Sequence, residues 1–268
     1  MPQNAHAPAR LHFANFLSPL LQDTYMAIAT YAGQQLDIPI DLAIGQDLSE
    51  FGIGHADVGF LCGLLYVRLS ATEENPVELL AAPVLRGSRY QGRPHYFSDV
   101  VVRRDSPFRS FADFRGCTWA YNEEVSHSGY NLVQYSLLER QGHTNYFGRT
   151  VKSGSHTQSL QLVLAGLADA AAIDSHVLEV ILQKDRGLAS QLHRIDHLGP
   201  SSIPPIVVAR RLPSQLKQKL QDILTHMHQD PVQAELLQAG EIERLVAVRD
   251  EDYDDIRAMW ARVQAYEQ

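Results

Sequence analysis

The sequence predicts an α/β protein built as two lobes, and three observations carry that expectation. Short apolar runs alternate with amphipathic stretches over most of the chain, the rhythm of strands linked by helices into a mainly parallel sheet. That rhythm starts afresh at Tyr96–Arg103 (YFSDVVVR). A turn-rich connector, Gly199–Pro205, comes just before an apolar run, Ile206–Ala209, that can return to the first sheet. Lobe one is therefore expected from residues 1–97 and 204–268, and lobe two from 98–203. Two hinge strands would join them, with a ligand cleft between the lobes where loops and helix N-termini converge.

Each element follows from local pattern. Leu11–Phe16 reads as a strand, and Pro19–Leu36 as a helix with Leu20, Leu21, Met26, Ile28 and Ala29 on its apolar side. Ile38–Ile44, Ala56–Leu61 and Leu79–Leu85 read as strands, and a helix begins at Gly63. In the second part Tyr96–Arg103, Cys117–Tyr121 and Ala168–Asp174 read as strands. Ser110–Phe114, Gly129–Gln141, Thr157–Ala165 and Val177–Asp185 read as helices, the second stopped by Gly142. Leu198–Pro205 reads as a connector. After Ile206–Ala209 the chain is expected to be helical at Ser214–Asp230, Pro231–Gln238 and Tyr253–Ala265.

Composition narrows the function classes. The 268 residues carry a net charge of −8, and the pI is near 5.8. A general nucleic-acid binder needs a basic surface to displace phosphate counterions, so none is expected. With 45% hydrophobic residues and a mean hydropathy of −0.20, the chain folds around a core without a membrane span. Cys62 and Cys117 are too few for a disulfide scaffold and read as buried thiols. Met1–Arg10 lacks the apolar stretch of a secretory signal. The protein is then either cytoplasmic or an exported chain whose signal has been replaced.

Three segments carry chemistry. NEEVSHSGYN (Asn122–Asn131) follows a strand and opens a helix, so Ser126, His127, Ser128 and Gly129 sit where unpaired N–H groups and the positive end of the helix dipole lie. KSGSHTQS (Lys152–Ser159) opens another helix in the same lobe and places His156 in its first turn. Each segment alone also reads as an ordinary serine cap; two in one lobe favour an anion site. HADVGFLCGLLYVR (His55–Arg68) is the corresponding strand–turn–helix of lobe one, with Cys62 and Tyr66.

At these residues a family resemblance emerges. ADVGFLCGLLYV, YFSDVVVRRDSPFRSFADFRG, SHSG, GSHTQSLQLVLAGLADAAAID and SSIPPIVVA stand in the order seen in the phosphate/phosphite/phosphonate-binding (PhnD-like) substrate-binding proteins of ABC importers. The resemblance covers roughly Leu11–Ala247. It implies the type II periplasmic-binding-protein fold, two α/β lobes joined by two hinge strands. It also implies a monomer that passes a small oxyanion to an ABC permease, without metal or cofactor, in a periplasmic or other extracytoplasmic compartment. Carried over by motif, it implies that Tyr96, Ser126, His127, Ser128 and His156 contact the oxyanion, with backbone N–H groups near Ser128 and Gly129. Lobe one would close over the ligand through the turn at Cys62–Tyr66.

This chain departs from the family pattern in four places. His127 stands where Ser-Thr-Ser-Gly has threonine, and Cys62-Gly63 replaces a Gly-Pro. Aminophosphonate-binding members resemble one another in acidic side chains after the DAAA strand and in the Ser-Pro-x-Ile-Pro-x-Asp connector. Here those places hold Ser175-His176 and SSIPPI, without Asp. The expected ligand is thus phosphate, phosphite or a simple alkylphosphonate. The alternatives are a cytoplasmic ligand sensor or an enzyme on the same fold. No GxSxG, P-loop or metal-ligand spacing supports an enzyme, and Asp174 with His176 lacks a nucleophile.

Overall fold

A computed structural model describes residues 8–267; residues 1–7 and 268, including most of the Met1–Arg10 segment, lie outside the described residues. In chain order the elements are β1 (Leu11–Asn15), α1 (Gln22–Leu36), β2 (Ile40–Ile44), α2 (Glu50–Ile53), β3 (Val58–Phe60), α3 (Gly63–Ser70), β4 (Val77–Leu85), β5 (His95–Arg103) and β6 (Thr118–Tyr121). They continue with α4 (Leu132–Gln141), β7 (Arg149–Lys152), α5 (His156–Leu164), β8 (Ala170–Asp174), α6 (Ser175–Lys184), α7 (Arg186–Gln191) and β9 (Leu192–Ser202). The last are β10 (Ile206–Ala209), α8 (Ser214–His226), α9 (Pro231–Ala239), β11 (Ile242–Val246) and α10 (Asp254–Glu267).

Contacts divide the chain into two units. The first comprises the chain through His95 together with Ile203–Tyr253; the second comprises Tyr96–Ser202 and the chain from Asp254 onward. The first unit holds a six-stranded sheet in the order β11-β4-β10-β3-β1-β2. β1 runs parallel to β2 and β3, whereas β10 pairs antiparallel with both β3 and β4. Leu11, Phe13, Ile28, Val58, Leu80 and Val207 fill its core. Inside it the buried Asp57 takes the guanidinium of Arg211 at 2.7 Å and the backbone N–H of His12 at 2.8 Å.

The second unit holds a five-stranded sheet in the order β7-β6-β8-β5-β9. β6 is parallel to β7 and β8, and β5 is antiparallel to β8, with Ser98 opposite Asp174. Phe111, Phe114, Trp119, Leu132, Val133 and Leu137 form its core. Serine, aspartate and glycine set the helix ends. Ser155 caps α5, Asp174 caps α6 and Asp230 caps α9, each accepting first-turn N–H groups. Gly142 closes α4 at φ 75°, a left-handed turn that glycine adopts without strain.

The structure departs from the sequence reading in several places, among them the short helices α2 and α7, which the pattern did not mark. Leu192–Ser202 is a strand rather than partly a connector, and β7 and β11 are strands that the apolar pattern did not reveal. All three lie at sheet edges, where one flank faces solvent and the apolar alternation is diluted by charge. β9 reads LHRIDHLGPSS and β11 IERLV. Finally, the expected lobe one included all of 204–268, but α10 packs on the second unit, its Met259 against the core around Trp119. The chain therefore passes between units three times, not twice: a surface-facing amphipathic helix carries no sequence mark of which core it covers.

Candidate functional site

The site grows from the loop that follows β6. Ser126 has extended backbone (φ −77°, ψ 132°) and starts a wide turn, His127–Asn131, that leads into α4. The Asn131 N–H reaches the Ser126 carbonyl five residues back, at 3.0 Å. Such single π turns inside helices cluster at functional sites. The Ser126 Oγ accepts the Gly129 N–H at 3.1 Å. The N–H groups of His127 and Ser128 precede the first bonds of the turn and have no partner within it. They mark the positive end of the helix that follows.

Close packing explains Gly129. A Cβ there would lie 1.9 Å from the Asn122 Oδ1 and 3.2 Å from the His156 Cε1. Only a residue without Cβ lets the Asn122 amide press on this turn.

The second helix start, α5, brings His156 to the same place. Its Nε2 lies 3.1 Å from the Ser128 Oγ and 3.4 Å from the Asn122 Nδ2. The Asn122 Nδ2 also donates to the Ser126 Oγ at 3.0 Å. From β5, the buried Ser98 hydroxyl donates to the Ser128 carbonyl at 2.7 Å and braces the turn. Asn122, Ser126, Ser128 and His156 thus form one polar cluster. Two buried atoms in it, the Asn122 Oδ1 and the His156 Nδ1, have no hydrogen-bond partner. Burial pushes the His156 imidazole down to about 4, so the ring is neutral near pH 7.

Not every expected site residue joins this cluster. Ser126, Ser128, Gly129 and His156 do. The Gly129 N–H, however, is spent on Ser126 rather than left for a ligand. Asn122 was missed; its one sequence signal is its position at the C-terminal end of a strand, where α/β sheets gather ligands. The His127 ring turns away from the cluster, although its backbone N–H stays at the helix start. It is fully buried, and both ring nitrogens are engaged in the interior, Nε2 with the Ser201 Oγ at 2.8 Å and Nδ1 with the Asn131 Nδ2 at 3.2 Å. Tyr96 is buried with its ring centroid 6.5 Å from that of His127.

Cys62 and Tyr66 belong to the first unit. Cys62 is unbridged and partly exposed at the start of α3; Cys117 is unbridged and buried. Burial, with Asp169 nearby, pushes the Cys117 thiol up to about 12, which makes it unreactive. Tyr66 is buried, meets Tyr253 edge-on, and donates its hydroxyl proton to Asp250 at 2.5 Å. Its hydroxyl is thus already engaged within the first unit.

The buried groups also set a pH dependence. Burial lowers His127 to about 4, with the Asp255 charge opposing the shift, as it lowers His156 to about 4. An unfolded histidine titrates near 6.5. Both histidines therefore contribute stability that is present above pH 6.5 and lost as pH falls toward 4. Asp174 runs the other way. Burial raises it to about 7 against the α6 N–H bonds that lower it, so its contribution is lost as pH rises from 4 to 7. Two protons against one leave net loss on the acid side. Urea unfolding should show wild-type stability falling between pH 6.5 and pH 4. His127→Gln, which cannot titrate, should lose less, by on the order of 2 kcal/mol. Equal losses in the two proteins would contradict the buried neutral ring.

Among the described residues no group of three or more His, Cys, Asp or Glu is arranged to hold a metal ion. No described helix is long and apolar enough to cross a membrane.

Comparison with known proteins agrees with this architecture. Residues 13–253 match the family model described as ABC transporter, phosphonate, periplasmic substrate-binding protein. The binding-protein component of an ABC phosphonate transporter from Pseudomonas aeruginosa is similar in fold, with a TM-score of 0.83 at 19% identity, over 98% of this chain and 88% of that one. PhnD1 from Prochlorococcus marinus, solved in complex with methylphosphonate, gives a TM-score of 0.82 at 17% identity, over 96% of this chain and 99% of that one. A Xanthomonas citri protein solved with ATP, XAC2383, gives 0.71 at 17% identity, over 97% and 98%. The fold is that of type II periplasmic binding proteins.

Proposed function

The chain belongs to the family of phosphonate periplasmic substrate-binding proteins of ABC transporters, and from that premise we propose that it binds a small phosphorus oxyanion with an uncharged substituent at Asn122, Ser126, Ser128 and His156. The family is one of transport proteins, so an ABC permease is the implied partner and an extracytoplasmic compartment the implied location. Phosphate, phosphite and methylphosphonate are the ligands that fit this reading.

One observation carries it: two helix starts, at Ser126 and Ser155, meet in a single cluster of hydroxyl, amide and imidazole groups. The Ser126 Oγ already accepts two hydrogen bonds, from the Gly129 N–H and the Asn122 amide. Its own proton is left for an acceptor outside the turn. The N–H groups of His127 and Ser128 lie at the same helix start, where an anion gains from the dipole. An anion beside His156 also offsets the burial penalty that keeps this ring neutral. Charge-assisted bonds of this kind are roughly twice as strong as neutral ones.

Two other places in the second unit argue against an ammonium-bearing ligand. The Ser175 Oγ accepts the Phe97 N–H at 3.1 Å, and Ser201 and Ser202 at the end of β9 carry no carboxylate, the neighbouring Asp255 being already engaged by both. A thermal-shift screen tests the reading. A ligand at 100 times its dissociation constant adds about 2.7 kcal/mol of stability. Phosphate, phosphite or methylphosphonate should raise Tm, and 2-aminoethylphosphonate should leave it unchanged. A flat response to all the phosphorus oxyanions would overturn the proposal; a response to the aminophosphonate alone would overturn the substituent.

A further inference from the structure

His127 occupies the middle of the Ser-His-Ser-Gly turn, yet its ring points into the second unit and starts a directed chain of hydrogen bonds. The Asn131 amide nitrogen can only donate, so the His127 Nδ1, 3.2 Å away, accepts. The ring proton is then on Nε2 and is donated to the Ser201 Oγ at 2.8 Å. The Ser201 hydroxyl in turn donates to the Asp255 Oδ2 at 2.8 Å. The same carboxylate takes the Ser202 N–H at 2.8 Å and, through Oδ1, the Ser202 hydroxyl at 2.8 Å. Every donor in the series has an acceptor, and no alternative direction satisfies both the amide and the carboxylate.

Asp255 lies in the first turn of α10, far along the chain from the Ser126 turn. We propose that His127 and Asp255 are positioning residues for ligand binding: through Ser201 they tie the C-terminal helix to the turn that carries Ser126 and Ser128, so that α10 sets the geometry of the oxyanion site without touching the ligand. This rests on the reading that the Ser126–Ser128 turn binds the oxyanion. Threonine at position 127 is too short to reach Ser201 as the imidazole does. The substitution that departs from the family pattern is therefore the one that creates the link.

The test combines affinity with spectroscopy. The affinity for methylphosphonate, by calorimetry, should fall about tenfold in Asp255→Ala and in His127→Leu, the cost of one lost bond in a polar network. The double variant should be no weaker than either single, because both cut one pathway. His127→Gln, which keeps a donor near the Nε2 position, should recover most of the loss. Ser201→Ala replaces Asp255→Ala if that variant does not fold. Independently of any ligand, the backbone amide signals of Ser126–Gly129 should move in the NMR spectrum of Asp255→Ala, and the imidazole nitrogens of His127 should report the Nε2–H tautomer. Unchanged affinity, additive losses, or signal changes confined to β9 and α10 would overturn the proposal. If wild type binds no phosphorus oxyanion while the turn's amides still move with Asp255, the ligand assignment fails and the coupling stands.

Discussion

Replacing Ser126 and Ser128 together with alanine is expected to weaken binding of a small phosphorus oxyanion by at least about a hundredfold. Each hydrogen bond to a charged group contributes roughly 1.5–3 kcal/mol, and neighbouring losses need not add in full. The Ser126 hydroxyl has its lone pairs filled by Gly129 and Asn122, so its proton is directed outward. Ser128 touches His156 at 3.1 Å, so its loss also frees that ring. Ser126 is in addition the cap of the turn, and losing a cap costs about 1 kcal/mol. Stability alone must not be mistaken for binding. Asp230→Ala removes the cap of α9 in the first unit and is the matching control, with a similar fall in Tm and no loss of affinity. Calorimetry on the three proteins decides the matter: a double variant that binds as tightly as the control would remove the turn from the site.

Gly129→Ala is expected to have the second large effect. The added Cβ would lie 1.9 Å from the Asn122 Oδ1, far inside contact distance, and the amide would have to leave. Its departure breaks the contacts to the Ser126 Oγ and the His156 Nε2 together. Overpacking of this kind costs about 1–3 kcal/mol, and affinity should fall with it. Asn122→Ala in the same chain removes the colliding atom. It should restore part of the lost Tm but not the lost affinity, because the amide that links the two helix starts is then absent. Full recovery of both would show that Asn122 is only filler.

Much of this was legible along the chain. The alternation of apolar runs and amphipathic stretches marked β1 to β6, β8 and β10 and the longer helices, though not the short α2 and α7, because buried strands leave a continuous apolar signature. The serines at 126 and 155 were readable as helix starts because capping is a local bond, made within three residues. The resemblance carried by ADVGFLCGLLYV, SHSG and GSHTQS placed the family correctly. The edge strands β7, β9 and β11 were hard to read because their charged residues face solvent.

The sequence by itself determined the α/β class, the order of the main elements and the two helix starts that hold Ser126, Ser128 and His156. It did so because propensity, capping and apolar period act between near neighbours. Only the tertiary structure decided that Asn122 joins them, that His127 turns inward to Ser201, and that α10 packs on the second unit with Asp255 at the far end of that link. Those contacts join residues as far apart as 127 and 255 in the chain. A hydrogen bond between distant residues depends on where the packed sheet and helices hold their ends, which no local pattern encodes.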